Sequence, residues 1–279
     1  DCITCNTADV VWTEDMNGMP MEAYPRDAGY WTRDESKVLI QSKFDFWQYD
    51  RNEKTLSSYS HDMGKLNNVE LSLGIWERDS VYYEPSNVYF TGFDKTTKGS
   101  HYYELKEHDD HHDLVETAYF DARVMQLQRS KNNERHIVRK MTFQDYPELY
   151  TFTDNMAEMS KISTTNPQQD EYKWGTVELT KWTSYDGFEL EGLIYKPEDF
   201  DSTKSYPLMV YFYELYADRL HSHYIPKPTA SIIYATEYAS AGYVVFMPDI
   251  RYKPGHPAKS AYDCIMSGTD QVLEKYPNV

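Results

Sequence analysis

Residues 176–213 read TVELTKWTSYDGFELEGLIYKPEDFDSTKSYPLMVYFY, and the pattern of apolar residues changes partway along them. Up to Pro197, apolar and polar residues alternate on both sides of Tyr185-Asp186-Gly187-Phe188, as two antiparallel strands joined by a tight turn require. From Pro207 the alternation stops. PLMVYFY (207–213) and GYVVFMPDI (242–250) are short, nearly continuous apolar runs, as expected of strands covered on both faces. Between them TASIIYATEYASAG (229–242) has helical spacing rich in Ala and Ile, which predicts a helix over 229–241 with Gly242 at its C′ position. A further helix is predicted over 260–276. Ser260 opens it with Asp263 three residues on, and Ala261, Ile265, Gly268, Val272 and Tyr276 line up along one side. Cys264 falls on the apolar stripe and reads as core.

Upstream, from about Tyr24 to Asp154, the chain consists of short β-runs separated by polar turns, without a helical period. YWTRDESKVLIQSKFDFWQYD (30–50), NVYFTGFDKTTKGSHYYEL (87–105) and RHIVRKMTFQDYPELYTFTD (135–154) each give a strand, a polar turn and an aromatic strand. Their anchoring aromatics Trp47, Tyr103 and Tyr150 are 56 and 47 residues apart, near the roughly 40–50-residue period of β-propeller blades. Diverged blades are the expectation, with a β-sandwich as the rival. Three blades do not close a ring, since propellers use at least about four, so either the remainder lies before Asp1 or the unit is not a propeller.

A length of 279 residues sets an expectation of two domains, and a share of 40% hydrophobic residues supports buried cores. The formal charge of −17 repels a phosphate backbone and an anionic membrane surface, which argues against nucleic-acid binding. No window supplies the roughly 18–20 apolar residues of a spanning helix, and the first residues lack the basic-then-apolar form of a signal peptide. Cys2 and Cys5 form a C-x-x-C with no second pair at zinc-finger distance, so a local disulfide or two free thiols is expected there. EHDDHHDLVE (107–116) brings His108, His111 and His112 among acids, but no apolar frame flanks them to fix a second shell. A solvated loop is expected, with no metal.

FQDYPELYTFTD (143–154), NPQQDEYKWGTVELTKWTSYDGFELEGLIYKP (166–197), YPLMVYFYE (206–214) and GYVVFMPDIRYKPGHPAKSAYDCIMSG (242–268) follow one another in an order that resembles the prolyl oligopeptidase family. These serine peptidases couple a β-propeller to an α/β-hydrolase domain and include dipeptidyl-peptidase and acylaminoacyl-peptidase branches. The resemblance runs from about Tyr24 to the last residue. It implies a partial β-propeller over 1–165, the N-terminal part of an α/β-hydrolase domain over 166–279, and a crossing near Asn166 to Tyr172. It also implies a parent serine peptidase that hydrolyses short peptides by acyl transfer, without a cofactor. In the family a G-x-S-x-G-G elbow carries the nucleophile on the strand after the last helix read here, and acid and histidine follow. No G-x-S-x-G occurs in this sequence, so the chain is expected to stop ahead of the triad and to be inactive by itself.

One catalytic participant is implied within the chain. The family places an oxyanion-hole Tyr at the end of the strand matching PLMVYFY, which puts the role on Tyr213, with Tyr211 as the alternative two residues back on the same face. The family's Gly-Gly-Pro is here Glu214-Leu215-Tyr216, so the turn that follows must differ. Asp249 and Arg251 match an Asp-x-Arg-Gly step, where a structural salt link or cap near the site is implied rather than the triad acid. His256 reads as a loop residue and Asp186-Gly187 as a turn. The implied partner is a peptide substrate, and a homo-oligomer through the hydrolase-type domain is compatible with the resemblance. Compartment is open, with a secreted or periplasmic one preferred. The rival readings are an esterase-type acyl hydrolase and a non-catalytic binding protein that keeps both folds.

Overall fold

The computed structural model describes residues 2–7, 9–16, 19, 21–26, 29–76, 82–84, 87–108, 112–132, 135–153, 155–227, 229 and 231–279. They form two compact units. The first comprises Asp1–Asp15, Glu22–Arg139 and Leu149–Ile162, and the second Met16–Met21, Lys140–Glu148 and Ser163–Val279.

Among the described residues the first unit is built from three antiparallel meanders. The first joins β1 (Lys37–Gln41), β2 (Phe46–Asp50) and β3 (Thr55–Ser58), and an antiparallel bridge from Trp31 to Val38 extends it on the β1 side. The second joins β4 (Val69–Ile75), β5 (Val88–Asp94), β6 (Ser100–Glu107) and β7 (His112–Phe120) in chain order. The third joins β8 (Arg123–Arg129), β9 (His136–Met141), β10 (Glu148–Phe152) and β11 (Ser160–Lys161). Each of the three strand-turn-strand runs in the sequence therefore supplies two neighbouring strands of one sheet. Their tips are closed by short polar side chains that bond the local backbone, the property that makes Ser, Thr and Asp turn residues. The amide of Asp45 donates to Ser42 Oγ at 3.1 Å, that of Asp145 to Thr142 Oγ1 at 2.8 Å, and that of Thr97 to Asp94 Oδ1 at 2.9 Å.

Consecutive sheets share cores. Leu39 and Phe46 of the first sheet pack with Leu71, Phe90 and Tyr103 of the second, whereas Tyr102 and Ala118 of the second pack with Val124 and Val138 of the third. Adjacent residues of β6 thus enter different cores, as the pleat of a strand dictates. The arrangement is propeller-like, and among the described residues the sheets do not close on themselves. Little of this unit is helical: α1 (Met63–Asn67) is a five-residue helix.

The second unit carries a mixed sheet in the order β12 (Thr176–Thr183), β13 (Glu189–Lys196), β15 (Val244–Pro248), β14 (Leu208–Val210). The hairpin pairs Thr176 with Lys196 through to Thr183 with Glu189, and β14 runs parallel to β15. Helix α2 (Ala235–Ser240) lies in the connection between those two strands, and α3 (Pro257–Lys275) follows β15. Alternate residues feed two cores. Ile194, Val244 and Phe246 meet Cys264 and Val272 of α3, while Leu193, Tyr195, Val245 and Met247 meet Ala235 of α2 and Phe143. The sheet is the middle of three layers. Trp182 closes the α3 side, its indole N–H directed at the Cys264 carbonyl and at Ser267 Oγ.

Several element boundaries depart from those predicted. The 229–241 helix is confined to Ala235–Ser240, because Ile232 is exposed and its burial does not offset the poor helix propensity of a β-branched residue. Gly242 does stand at C′ with φ +88°. The last helix begins at Pro257 instead of Ser260, since a proline at the first helical position is already set to helical φ. Ser260 is not its cap. The buried Ser260 hydroxyl donates to the His256 carbonyl at 2.8 Å and accepts the Lys253 amide at 3.0 Å, while Asp263 pairs with Lys259. β14 is shorter than PLMVYFY and only half-buried, because among the described residues it has one strand neighbour. Cys2 and Cys5 are joined in a disulfide, and Cys264 is buried. Among the described residues no helix is long and apolar enough to cross a membrane.

Candidate active site

The parallel pair β14 and β15 ends where α/β sheets hold ligands, at the carboxyl ends of parallel strands. One further bond, from the Tyr211 amide to the Phe246 carbonyl at 3.0 Å, continues the ladder beyond β14. The chain then leaves the sheet. Tyr211 stays with the core, its ring 5.9 Å from that of Tyr216, whereas Phe212 is 48% and Tyr213 69% exposed. The two tyrosines that the sequence places on one face are therefore separated by a turn of the backbone: Tyr211 packs and Tyr213 faces solvent.

The segment after Tyr213 is held by the residues that follow β15. The Tyr252 hydroxyl donates to the Tyr213 carbonyl at 2.9 Å, and the Ile250 amide to the Glu214 carbonyl at 2.8 Å. Asp249 Oδ1 accepts both the Tyr216 amide and the Ala217 amide, the latter at 2.9 Å. Asp249 is only 8% exposed, and its own amide bonds the Glu191 carbonyl of β13. A buried carboxylate that accepts two backbone N–H groups anchors backbone. The Arg251 carbonyl receives the Cys264 thiol at 3.8 Å, which ties this stretch to α3.

Two of the buried or half-buried phenols are held protonated by their surroundings. Burial pushes the Tyr216 hydroxyl above the ordinary tyrosine range, with Tyr211 adding to it and the Arg219 guanidinium, 5.3 Å from the ring, opposing. The Tyr252 hydroxyl is also pushed up, first by burial and then by the Glu214 carboxylate. The Tyr213 hydroxyl has no hydrogen-bond partner among the described residues. Such an arrangement offers one O–H donor in a water-accessible position on a tethered backbone.

Of the residues singled out in the sequence, Tyr213 and Asp249 lie along this one segment, and the Arg251 backbone joins it to α3. His256 stands apart at the amino end of α3, without a side-chain cap bond. Sequence reading missed Tyr252, where the available signal was an aromatic residue at the position of glycine in the Asp-x-Arg-Gly step. Asp186 does more than make a turn: Lys253 Nζ lies 2.9 Å and Lys259 Nζ 3.7 Å from its carboxylate. In the first unit, His112 is fixed by Tyr59, with Nε2 at 2.8 Å from the Tyr59 carbonyl and the rings 4.0 Å apart. His108 lies 3.5 Å from Asp113, and His111 falls outside the described residues. Among the described residues no three His, Cys, Asp or Glu are grouped to hold a metal. The first unit also has an aromatic groove of about 410 Å³ beside Trp76, Tyr89, Arg129, His136 and Phe152.

No protein-family model matches the sequence, and no curated protein matches it. Solved structures do. The acylaminoacyl peptidase of Pyrococcus horikoshii is 17% identical with a TM-score of 0.52, over 97% of this chain and 44% of that one. Dipeptidyl peptidase 4 of Porphyromonas gingivalis is 17% identical with a TM-score of 0.54, over 80% of this chain and 30% of that one. A Bacteroides ovatus protein provisionally named a dipeptidyl aminopeptidase IV is 15% identical with a TM-score of 0.57, over 92% of this chain and 39% of that one. These neighbours are serine peptidases of the prolyl oligopeptidase family, the family that the sequence motifs resemble. The chain spans less than half the length of each, and at such identities the likeness is one of fold.

Proposed function

We propose that these residues are part of a serine peptidase of the prolyl oligopeptidase type that cleaves short peptides, with residues 1–165 contributing propeller blades and 166–279 the first part of an α/β-hydrolase domain. The nucleophile, histidine and acid are assigned to a portion of the protein outside this chain, which carries no G-x-S-x-G. The observation that carries the reading is the exposed Tyr213 phenol at the carboxyl end of the parallel pair, on backbone gripped from residues 249–252.

In acyl transfer a serine Oγ adds to the scissile carbonyl as its proton passes to histidine, and the carbonyl oxygen becomes an oxyanion. Collapse expels the amine, which takes the proton, and water then releases the acyl group by the same steps in reverse. The negative charge develops on one oxygen. A phenol already aimed at that position stabilises the transition state more than the ground state, which is what lowers the barrier. Asp249 takes no part in proton transfer; it shapes the loop that presents the donor.

The test is made on a polypeptide extended to include the proposed nucleophile. It should react stoichiometrically with a fluorophosphonate probe at one serine and hydrolyse short peptides, while residues 1–279 alone should do neither. Tyr213→Phe should lower kcat by about 10²–10³ with KM little changed. Labelling of a serine within residues 1–279, or an unchanged kcat in Tyr213→Phe, would refute the assignment.

A further inference from the structure

Two departures from the family pattern meet at one hydrogen bond. Tyr252 stands where the Asp-x-Arg-Gly step has glycine, and Glu214-Leu215-Tyr216 stand where a Gly-Gly-Pro turn is found. Glu-Leu-Tyr has no proline to fix φ in this turn, so its conformation rests on the bonds its backbone makes. The backbone that presents Tyr213 must be stiffened by something else. We propose that Tyr252 is a positioning residue for Tyr213, its hydroxyl fixing the peptide plane on which the Tyr213 phenol depends.

The contacts divide the work plane by plane. The Tyr213 carbonyl belongs to the peptide between 213 and 214, the Glu214 carbonyl to the next, and the Tyr216 and Ala217 amides to the two after that. Four consecutive peptide planes are thus held by four bonds, all from residues 249–252. Three of them use the Asp249 carboxylate and the Ile250 backbone. The first, which sets ψ of Tyr213, depends on the Tyr252 side chain alone. It also joins positions 39 apart in sequence, so the loop after β14 is referenced to the loop after β15. Burial and the Glu214 charge hold the Tyr252 proton in place, so the hydroxyl remains a donor through neutral and mildly alkaline pH. A carbonyl held while the phenol hydroxyl of the same residue stays unpaired is the division of labour that a preorganised oxyanion donor requires. The proposal rests on Tyr213 being that donor, and the experiment separates the two.

In the extended polypeptide, kcat and KM on one short peptide are measured for the wild type, Tyr252→Phe, Tyr213→Phe and the double variant. Tyr252→Phe keeps the ring that packs near α3 and should lower kcat about fivefold, the scale of one neutral hydrogen bond, with KM unchanged. The double variant should be no slower than Tyr213→Phe, because Tyr252 acts through a phenol that is no longer there. Amide exchange at Glu214 and Leu215, measured in residues 1–279 themselves, should rise several-fold in Tyr252→Phe. Normal kcat in Tyr252→Phe beside a crippled Tyr213→Phe would overturn the positioning role, as would multiplicative losses in the double variant. Normal kcat in Tyr213→Phe would instead remove the oxyanion reading, and the role of Tyr252 would fall with it.

Discussion

Single residues in the second unit show how a contact becomes a pH dependence. His223 Nδ1 donates to the Phe143 carbonyl at 3.0 Å, and its ring stacks on Trp174 at 4.6 Å between centroids. That carbonyl also accepts the Trp174 indole N–H at 2.8 Å. The remaining nitrogen, Nε2, is buried without a hydrogen-bond partner among the described residues, and burial pushes the imidazole below its ordinary value of 6.5. Asp145 nearby and the Phe143 carbonyl pull the other way but do not reverse the shift. Because the folded state binds the proton more weakly than the unfolded chain, stability is complete above pH 6.5 and declines as the pH falls from there toward the folded value. Urea midpoints taken above and below pH 6.5 should show this loss, and His223→Phe should remove most of it; equal slopes in both proteins would assign the acid sensitivity elsewhere. Residues of this kind were only partly legible. Tyr213 and Asp249 drew attention only through a family resemblance at strand ends, whereas nothing in spacing announces a hydroxyl that reaches a carbonyl 39 positions away or an imidazole that stacks on Trp174.

Elements obey local chemistry that the sequence repeats. Ser42-Lys43-Phe44-Asp45 and Thr142-Phe143-Gln144-Asp145 close two equivalent hairpin tips with the same Ser/Thr-to-amide bond. Their aspartates differ in duty. Asp45 is buried and accepts from the Ser60 hydroxyl at 2.7 Å, the Gly64 amide at 2.8 Å and the Lys65 amide at 2.9 Å, so it caps α1 from the preceding hairpin. Asp145 is exposed and accepts from the Thr142 hydroxyl. Asp45→Ala strands three donors and should cost about 2–3 kcal/mol, while Asp145→Ala should cost less than about 1 kcal/mol. Denaturant unfolding of the two variants decides this, and equal losses would contradict the division of roles. Strands and hairpins were legible here because turn residues and alternation report local geometry directly. Helix starts were less so: Ser260 with Asp263 imitates a capping box, and only the competing proline at 257 shows that the helix has already begun.

At the scale of the molecule, the order of antiparallel meanders followed by a mixed sheet was visible in the change from alternating to continuous apolar runs. The assignment of Lys140–Glu148 to the second unit was not, because this hairpin tip reads like the other two. Phe143 is the physical reason. It packs edge-on to the fully buried Tyr195 at 5.1 Å and lies in the same core as Leu193, Val245 and Met247. Phe143→Ala should therefore destabilise the second unit by about 3–5 kcal/mol. Hydrogen exchange resolved along the chain should show faster opening in β13 and β15 and little change in β4–β7; the reverse pattern would show that Phe143 serves the first unit. The first unit has its own constraint in β6, where Tyr102 and Tyr103 supply different cores. Inserting or deleting one residue between them would exchange the partners of every side chain beyond that point. Length variation among descendants of this sequence should therefore accumulate in the turn at 95–99, while β6 drifts only by substitution.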